Sequence, residues 1–452
     1  MTKLRLLSIG AVVATVLSAL AVVAAPGAQK SQGLSRADLA LLGGVIQLVE
    51  RDYVRPLEPH ELTKDALKGM LNRLDPHSDY MDEQEFRLAR ADITGKFGGL
   101  GIQISQQNGV PKIISPIDGT PAARAGLQPG DLIVEVDGTS THGTSLSRIV
   151  RVLRGDPGTK VKLTIARGAE TPFDVTITRA IIQVDTVKSK MLPDNIGYVR
   201  ITRFGDDTPR DFRQALTDLK KKADGSLKGL VLDLRNDPGG LLSAAVDIAS
   251  DFLPDGTVVT IKGRRSADNH VYNVKSGSIV LPKTPIVVLI NGASASASEI
   301  VAGALQDRKR ATVMGTQSFG KGSVQTIIPL NGHGALRLTT ALYYTPGGRS
   351  IQGQGIKPDI VVDVPKDQQV PGGMLLRESA LQGAFRNPGS LDRTPSAKEK
   401  KPDDKAETTI DGKTTYAPPI KTELIGSDND AQLKAAVAHL NGESARTTGD
   451  RQ

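Results

Sequence analysis

The chain has 452 residues, which at the usual ~100–200 residues per domain corresponds to roughly three domains and excludes a miniprotein. It contains no cysteine, so disulfide frameworks, thiolate zinc sites and cysteine nucleophiles are excluded, and any covalent catalyst must use oxygen or nitrogen. Its net charge of +8 is interspersed with acids, with 3% aromatics and no Trp, so it lacks the basic stripe or stacking platforms of a nucleic-acid binder; none of its six histidines has the i, i+4 spacing of a helical metal site.

Lys3 and Arg5 precede an apolar run over residues 6–23, followed by Ala24, Ala25, Pro26, Gly27 and Ala28. That order reads as an export signal over residues 1–28. The run is close to the ~18–20 residues that span a bilayer, so it is expected either to be cleaved or to remain as an inner-membrane anchor, with the rest of the chain exported. Over residues 34–95, Leu39, Leu42, Val45, Ile46 and Val49 recur at helical spacing and predict an N-terminal helical region. Leu74, Asp75, Pro76, His77 and Ser78 read as a turn in which Pro76 pushes Asp75 out of helical geometry and His77 is structural.

Residues 96–182 change to short strands and glycine turns: strands at 97–104, 111–115, 132–136, 161–166 and 173–179, helices at 121–125 and 148–154. Gly99, Leu100, Gly101 and Ile102, together with the run from Ala125 to Ile133 (A-G-L-Q-P-G-D-L-I), make this module resemble a PDZ domain. The resemblance implies that Leu100, Gly101 and Ile102 hold a peptide's C-terminal carboxylate: glycines let successive N–H groups converge on an anion, and an exposed strand edge accepts the peptide as an added strand.

Residues 183–366 alternate apolar strands (196–201, 229–235, 286–290) with helices (206–222, 241–252, 293–305), the pattern of an α/β core whose active-site loops lie at strand ends. Residues 367–452 form a tail. Its 387–419 stretch is rich in Lys, Asp, Pro, Ser and Thr and is expected to be a disordered linker. A short helix at 428–441 is expected either to pack on its own core or to serve docking and self-association.

The chemistry concentrates in Asn291–Ile300 (N-G-A-S-A-S-A-S-E-I) and in residues 315–325 (G-T-Q-S-F-G-K-G-S-V-Q). Serines at a strand-to-helix junction meet helix-terminal amides suited to an oxyanion, and a desolvated lysine is a competent base because burial disfavours its charged form. Gln325, four residues after Lys321, falls on the same side in either secondary-structure period and is placed to accept from the amine. Composition does not choose among Ser294, Ser296 and Ser298. Glu299 reads either as a group that adjusts the neighbouring serine site or, the commoner case, as a first-turn acid at the positive end of a helix dipole, and Asp233 with Arg235 as a structural pair.

These motifs resemble those of C-terminal processing peptidases, also called tail-specific proteases, from about residue 34 to 365. The resemblance implies a mixed α/β multidomain protein: a crotonase-like peptidase core with an inserted PDZ domain and an N-terminal helical region. It implies Ser296 as nucleophile, Lys321 as general base, Gln325 as its support, and an oxyanion hole from Ala297 with Gly240 or its neighbour Gly239. No cofactor and no metal are expected. The implied partners are protein substrates with accessible apolar C-termini, an adaptor lipoprotein and a second copy of the chain, with no nucleic acid; the implied location is the periplasm. Two rivals remain. A non-catalytic tail-binding protein is opposed by the presence of Ser296, Lys321 and Gln325, and a thioester-hydrolysing enzyme by the export signal.

Overall fold

A computed structural model describes residues 33–94, 96–107, 109–117, 119–168, 170–183, 185–275, 277, 281–370, 375–388, 408–410, 413–416 and 420–443. The export segment, residues 1–28, lies outside the described residues. The chain divides into two compact units, residues 1–66 and 67–452. In the first, helix Arg36–Asp52 opens on a reciprocal capping box in which Ser35 Oγ accepts from the Asp38 N–H and the Asp38 carboxylate accepts from the Ser35 N–H.

The second unit is built on a six-stranded sheet in the order Val187–Leu192, Ile196–Ile201, Gly229–Asp233, Ile286–Ile290, Thr312–Gly315, Ile360–Val361. The first pair is antiparallel and the rest are parallel. Strands covered on both faces need near-continuous apolar sequence, and the three central strands are buried throughout. Because successive side chains alternate faces, Ile286, Val288 and Ile290 join the cluster with Phe212, Ile248 and Ile300 of three helices, Thr208–Lys222, Leu242–Ser250 and Ala297–Asp307. Val287 and Leu289 point the other way, to Leu433 and Ala436 of the terminal helix Ala431–Leu440.

That helix therefore packs on its own core. Asp430 caps it by accepting from the Leu433 N–H. The fully buried Arg235 guanidinium is gripped between Asp233 (2.5 and 2.9 Å) and Asp430 (2.6 and 2.9 Å), so the expected Asp233–Arg235 pair is part of a triad that ties the C-terminus to the central strand. The tail departs from expectation at a second place. Thr408–Ile410 and Lys413–Tyr416 form a hairpin that pairs with Leu375–Leu376, so this part of the expected disordered stretch has strand structure; residues 389–407 lie outside the described residues. Cross-strand backbone bonds supply order that polar composition does not announce.

A second, antiparallel sheet is organised by the long strand Ala335–Tyr344. Ser323–Pro329 pairs along it, while Asp79–Met81 and Thr257–Gly263 pair with its two ends. The 96–182 module has its own sheet and core, including Ile113, Ile133, Leu163 and Ile177. The single strand expected at 97–104 is two strands, Lys96–Gly99 and Ile102–Gln107, parted at Leu100 and Gly101; the φ of +78° at Gly101 breaks the extended backbone. Lys96–Gly99 pairs with Ala180–Gln183, so one two-stranded ribbon carries the chain into and out of the module.

Candidate active site

Strand Ile286–Ile290 delivers the chain to the serine-rich turn. The helix expected from residue 293 begins only at Ala297, because Ser296 has φ 55° and ψ −112°, a backbone conformation that ends helical geometry and is costly for a non-glycine residue. The three serines then separate by their partners. Ser294 Oγ donates to the Leu234 carbonyl (2.8 Å) and accepts from the Asn291 N–H, and Ser298 Oγ donates to the Asp237 carbonyl (3.0 Å). Both are 0% exposed, whereas Ser296 is 9% exposed and lines a cavity of about 320 Å³. Tyr343, whose phenol is kept protonated chiefly by burial, lines the same cavity.

The same cavity is lined by Gly239, Gly240, Lys321, Gln325 and Tyr343, with Arg203 and Arg337 on its wall. Gly239 is required where it stands: a Cβ there would lie 2.6–2.9 Å from Ala295 O, Ala297 N and Ser296 Cβ. Its N–H donates to Asp237 Oδ1 (2.8 Å). Among the described residues no hydrogen bond uses the N–H of Gly240 or Ala297, so these are the two amides left open beside Ser296. Asp237 itself is buried and its Oδ2 has no partner among the described residues. Burial pushes its carboxyl up to about 8, only partly offset by the Gly239 N–H, Ser298 and the nearby Arg203 and Arg200.

Lys321 follows Gly320 at the foot of strand Ser323–Pro329. Burial pushes its ammonium below the usual lysine value, with Arg337 adding to the effect and Glu378, Glu299 and Asp75 opposing it. Among the described residues no hydrogen bond joins its Nζ to Ser296 or to Gln325. The Gln325 amide donates to Ser323 Oγ (2.9 Å) and Thr339 Oγ1 (3.2 Å), rather than making the direct contact with the amine expected from the i, i+4 spacing.

Glu299 lies in the first turn of the helix, as expected, and its contacts reach well beyond it. It is fully buried, and its two oxygens accept from the Ser296 N–H (2.8 Å), Ser318 Oγ (2.5 Å), the Gly320 N–H (2.7 Å) and the Lys321 N–H (2.9 Å). Burial pushes its carboxyl up to about 7 against those four donors. It thus fastens the Ser296 segment to the Lys321 segment, a role that needs contacts 19 to 22 residues away and that helix-end electrostatics alone does not suggest. Tyr343 was missed for the same reason: no local pattern marks it.

In the 96–182 module, strand Ile102–Gln107 is at the edge of its sheet, and among the described residues no hydrogen bond uses the Leu100 or Gly101 N–H. The Gly101 carbonyl accepts from the Ile117 N–H and Thr120 Oγ1, which fixes the loop.

An α/β core with this serine turn and an inserted module of this kind defines a class that comparison with known proteins makes specific. Residues 195–362 match peptidase family S41, residues 112–167 match the PDZ domain, and residues 16–85 match the N-terminal domain of the activating protease CtpB. A carboxy-terminal-processing protease of Bartonella bacilliformis is 48% identical over 358 residues, covering 78% of this chain and 82% of its own. A CtpA-like serine protease of Staphylococcus aureus is 38% identical over 347 residues, covering 76% of this chain and 69% of its own. A solved photosystem II D1 C-terminal processing protease is similar over 73% of this chain and 94% of its own, at 30% identity and a TM-score of 0.43. The chain belongs to the carboxy-terminal-processing protease family, serine-type peptidases of family S41 with a PDZ domain.

Proposed function

We propose that the protein is an endopeptidase that cleaves exported proteins at or near their C-termini through a Ser296–Lys321 dyad. The observation that carries this reading is that Ser296, alone of the three serines, lines a cavity that Lys321 also lines, while the hydroxyls of Ser294 and Ser298 are committed to backbone carbonyls. Burial favours the neutral amine of Lys321, which takes the Ser296 hydroxyl proton as the oxygen attacks the scissile carbonyl. The Ala297 and Gly240 amides stabilise the resulting oxyanion. Lys321 then protonates the leaving amine, and a water attacks the Ser296 ester with Lys321 again as base. Gln325 supports the amine.

Leu100, Gly101 and Ile102 receive the substrate's terminal carboxylate, its apolar tail adding as a strand to the open edge of Ile102–Gln107. An adaptor lipoprotein and self-association are the further partners of this reading, and residues 1–28 support a periplasmic location, released or anchored. The test is cleavage of an unstructured protein with an apolar C-terminus, read by mass spectrometry with chelator controls. Ser296→Ala and Lys321→Ala are each expected to lower the rate by at least about a thousandfold. Cleavage that survives in either variant would move the nucleophile or the base elsewhere.

A further inference from the structure

The turn at residues 74–78 docks on strand Ala335–Tyr344, which lies between it and the strand that carries Gln325. Strand Asp79–Met81 pairs with Ala335–Tyr344 through Asp79↔Arg337, which sets the turn beside Thr339. A register shift between Val324 and Gln325 places Gln325 directly opposite Thr339.

The hydrogen bonds at this junction have only one consistent direction. Asp75 Oδ1 accepts from the His77 N–H (2.8 Å), the Ser78 N–H (2.9 Å) and Thr339 Oγ1 (3.0 Å), and Oδ2 accepts from Ser78 Oγ (2.6 Å). An ionised carboxylate only accepts, so the single hydroxyl proton of Thr339 is committed to Asp75 and its oxygen is left to accept. It accepts from Gln325 Nε2 (3.2 Å), whose other N–H goes to Ser323 Oγ (2.9 Å). Both amide protons are then used, and only Oε1 of Gln325 remains for the cavity it shares with Lys321. Burial works against charge on Asp75, but the donors from Ser78, His77 and Thr339 hold its carboxyl below the usual range, so the acceptor persists at neutral pH.

We propose that Asp75, acting through Thr339, fixes the Gln325 amide so that only its carbonyl oxygen is left for Lys321, and an amine turning to it during the reaction donates to Gln325 and keeps its lone pair for the Ser296 proton. A flipped amide would present N–H groups instead, which repel the ammonium and occupy the lone pair of the neutral base. Asp75 and Thr339 are positioning residues in this scheme, which rests on the Ser296–Lys321 reading. Glu378, Glu299 and Arg337 also act on Lys321 and are untouched by the variants below.

Asp75→Ala would disrupt the turn itself, so the test uses Thr339→Val and Thr339→Ser in the full chain, with kcat and KM measured against pH and melting temperature as a control. Thr339→Val is expected to lower kcat about 10- to 100-fold at nearly unchanged KM, and to move the acidic limb of kcat to lower pH as the amide loses its orientation. Thr339→Ser should restore both. An unchanged kcat and limb in Thr339→Val, or a loss that Ser does not restore, would overturn the proposal and assign Thr339 to packing. Full activity in Ser296→Ala or Lys321→Ala would overturn the dyad itself.

Discussion

A buried carboxylic acid with one free oxygen stands beside the serine turn, and its protonation state has a measurable consequence. Asp237 releases its proton near 3.8 when unfolded and only near 8 when folded. Between those values the folded state holds one proton more than the unfolded state, so this group's contribution is fully present below about pH 4 and is lost as pH rises through about 8. Asp237→Asn keeps the acceptor for the Gly239 N–H and removes the titration. Urea unfolding at pH 5, 6.5 and 8 should therefore show the variant gaining on the wild type as pH rises. A difference that does not change with pH would contradict a neutral Asp237. At this scale the sequence showed the right kinds of residue and not their partners: S-A-S-A-S-E left three serines open, and the carbonyls of Leu234 and Asp237 that occupy Ser294 and Ser298 are 60 and 61 residues away. Thr339, 264 residues from Asp75, is invisible to any local pattern.

The elements were legible where burial alone dictates them. Ile196–Ile201 and Ile286–Ile290 are apolar runs too short for independent helices and bounded by turns, and they are central strands. The start of the Ser296 helix was not legible, because a positive φ at a serine is imposed by its surroundings and not by propensity. The terminal helix was legible as a helix, but its packing on the core was left as one of two alternatives, since that depends on Asp430 meeting Arg235 across 195 residues of sequence. Replacing such a triad by apolar side chains need not destabilise, but removing one member leaves buried charge uncompensated. Asp430→Ala is thus expected to cost about 3–5 kcal/mol in urea unfolding. A variant as stable as the wild type would show that the triad does not hold the helix. The open strand edge in the PDZ domain makes a separate prediction: amidating the C-terminus of a bound apolar peptide should weaken its binding about tenfold or more in fluorescence anisotropy, because the Leu100 and Gly101 amides lose their anion. Equal binding of the acid and amide forms would place recognition elsewhere.

For the second unit as a whole, segments distant in sequence converge on one cavity, among them the loop holding Gly239 and Gly240, the turn holding Ser296, and the strand pair holding Gln325 and Tyr343 with Lys321 at its foot. Glu299 joins the last two, and Asp75 of the turn at residues 74–78 is bonded to Thr339 of the strand pair. The order of domains followed from composition and motif, whereas this convergence required the sheet registers. Acylation of Ser296 with Lys321 as its base leaves a covalent intermediate that can be trapped. The full-length protein would be incubated with a slowly hydrolysed activated ester over a range of pH, digested, and mapped by mass spectrometry. An adduct is expected on the peptide at Ser296, forming faster as pH rises through an apparent pKa below that of free lysine, and abolished in Lys321→Ala. An adduct on Ser294 or Ser298, or one that forms equally well without Lys321, would contradict it.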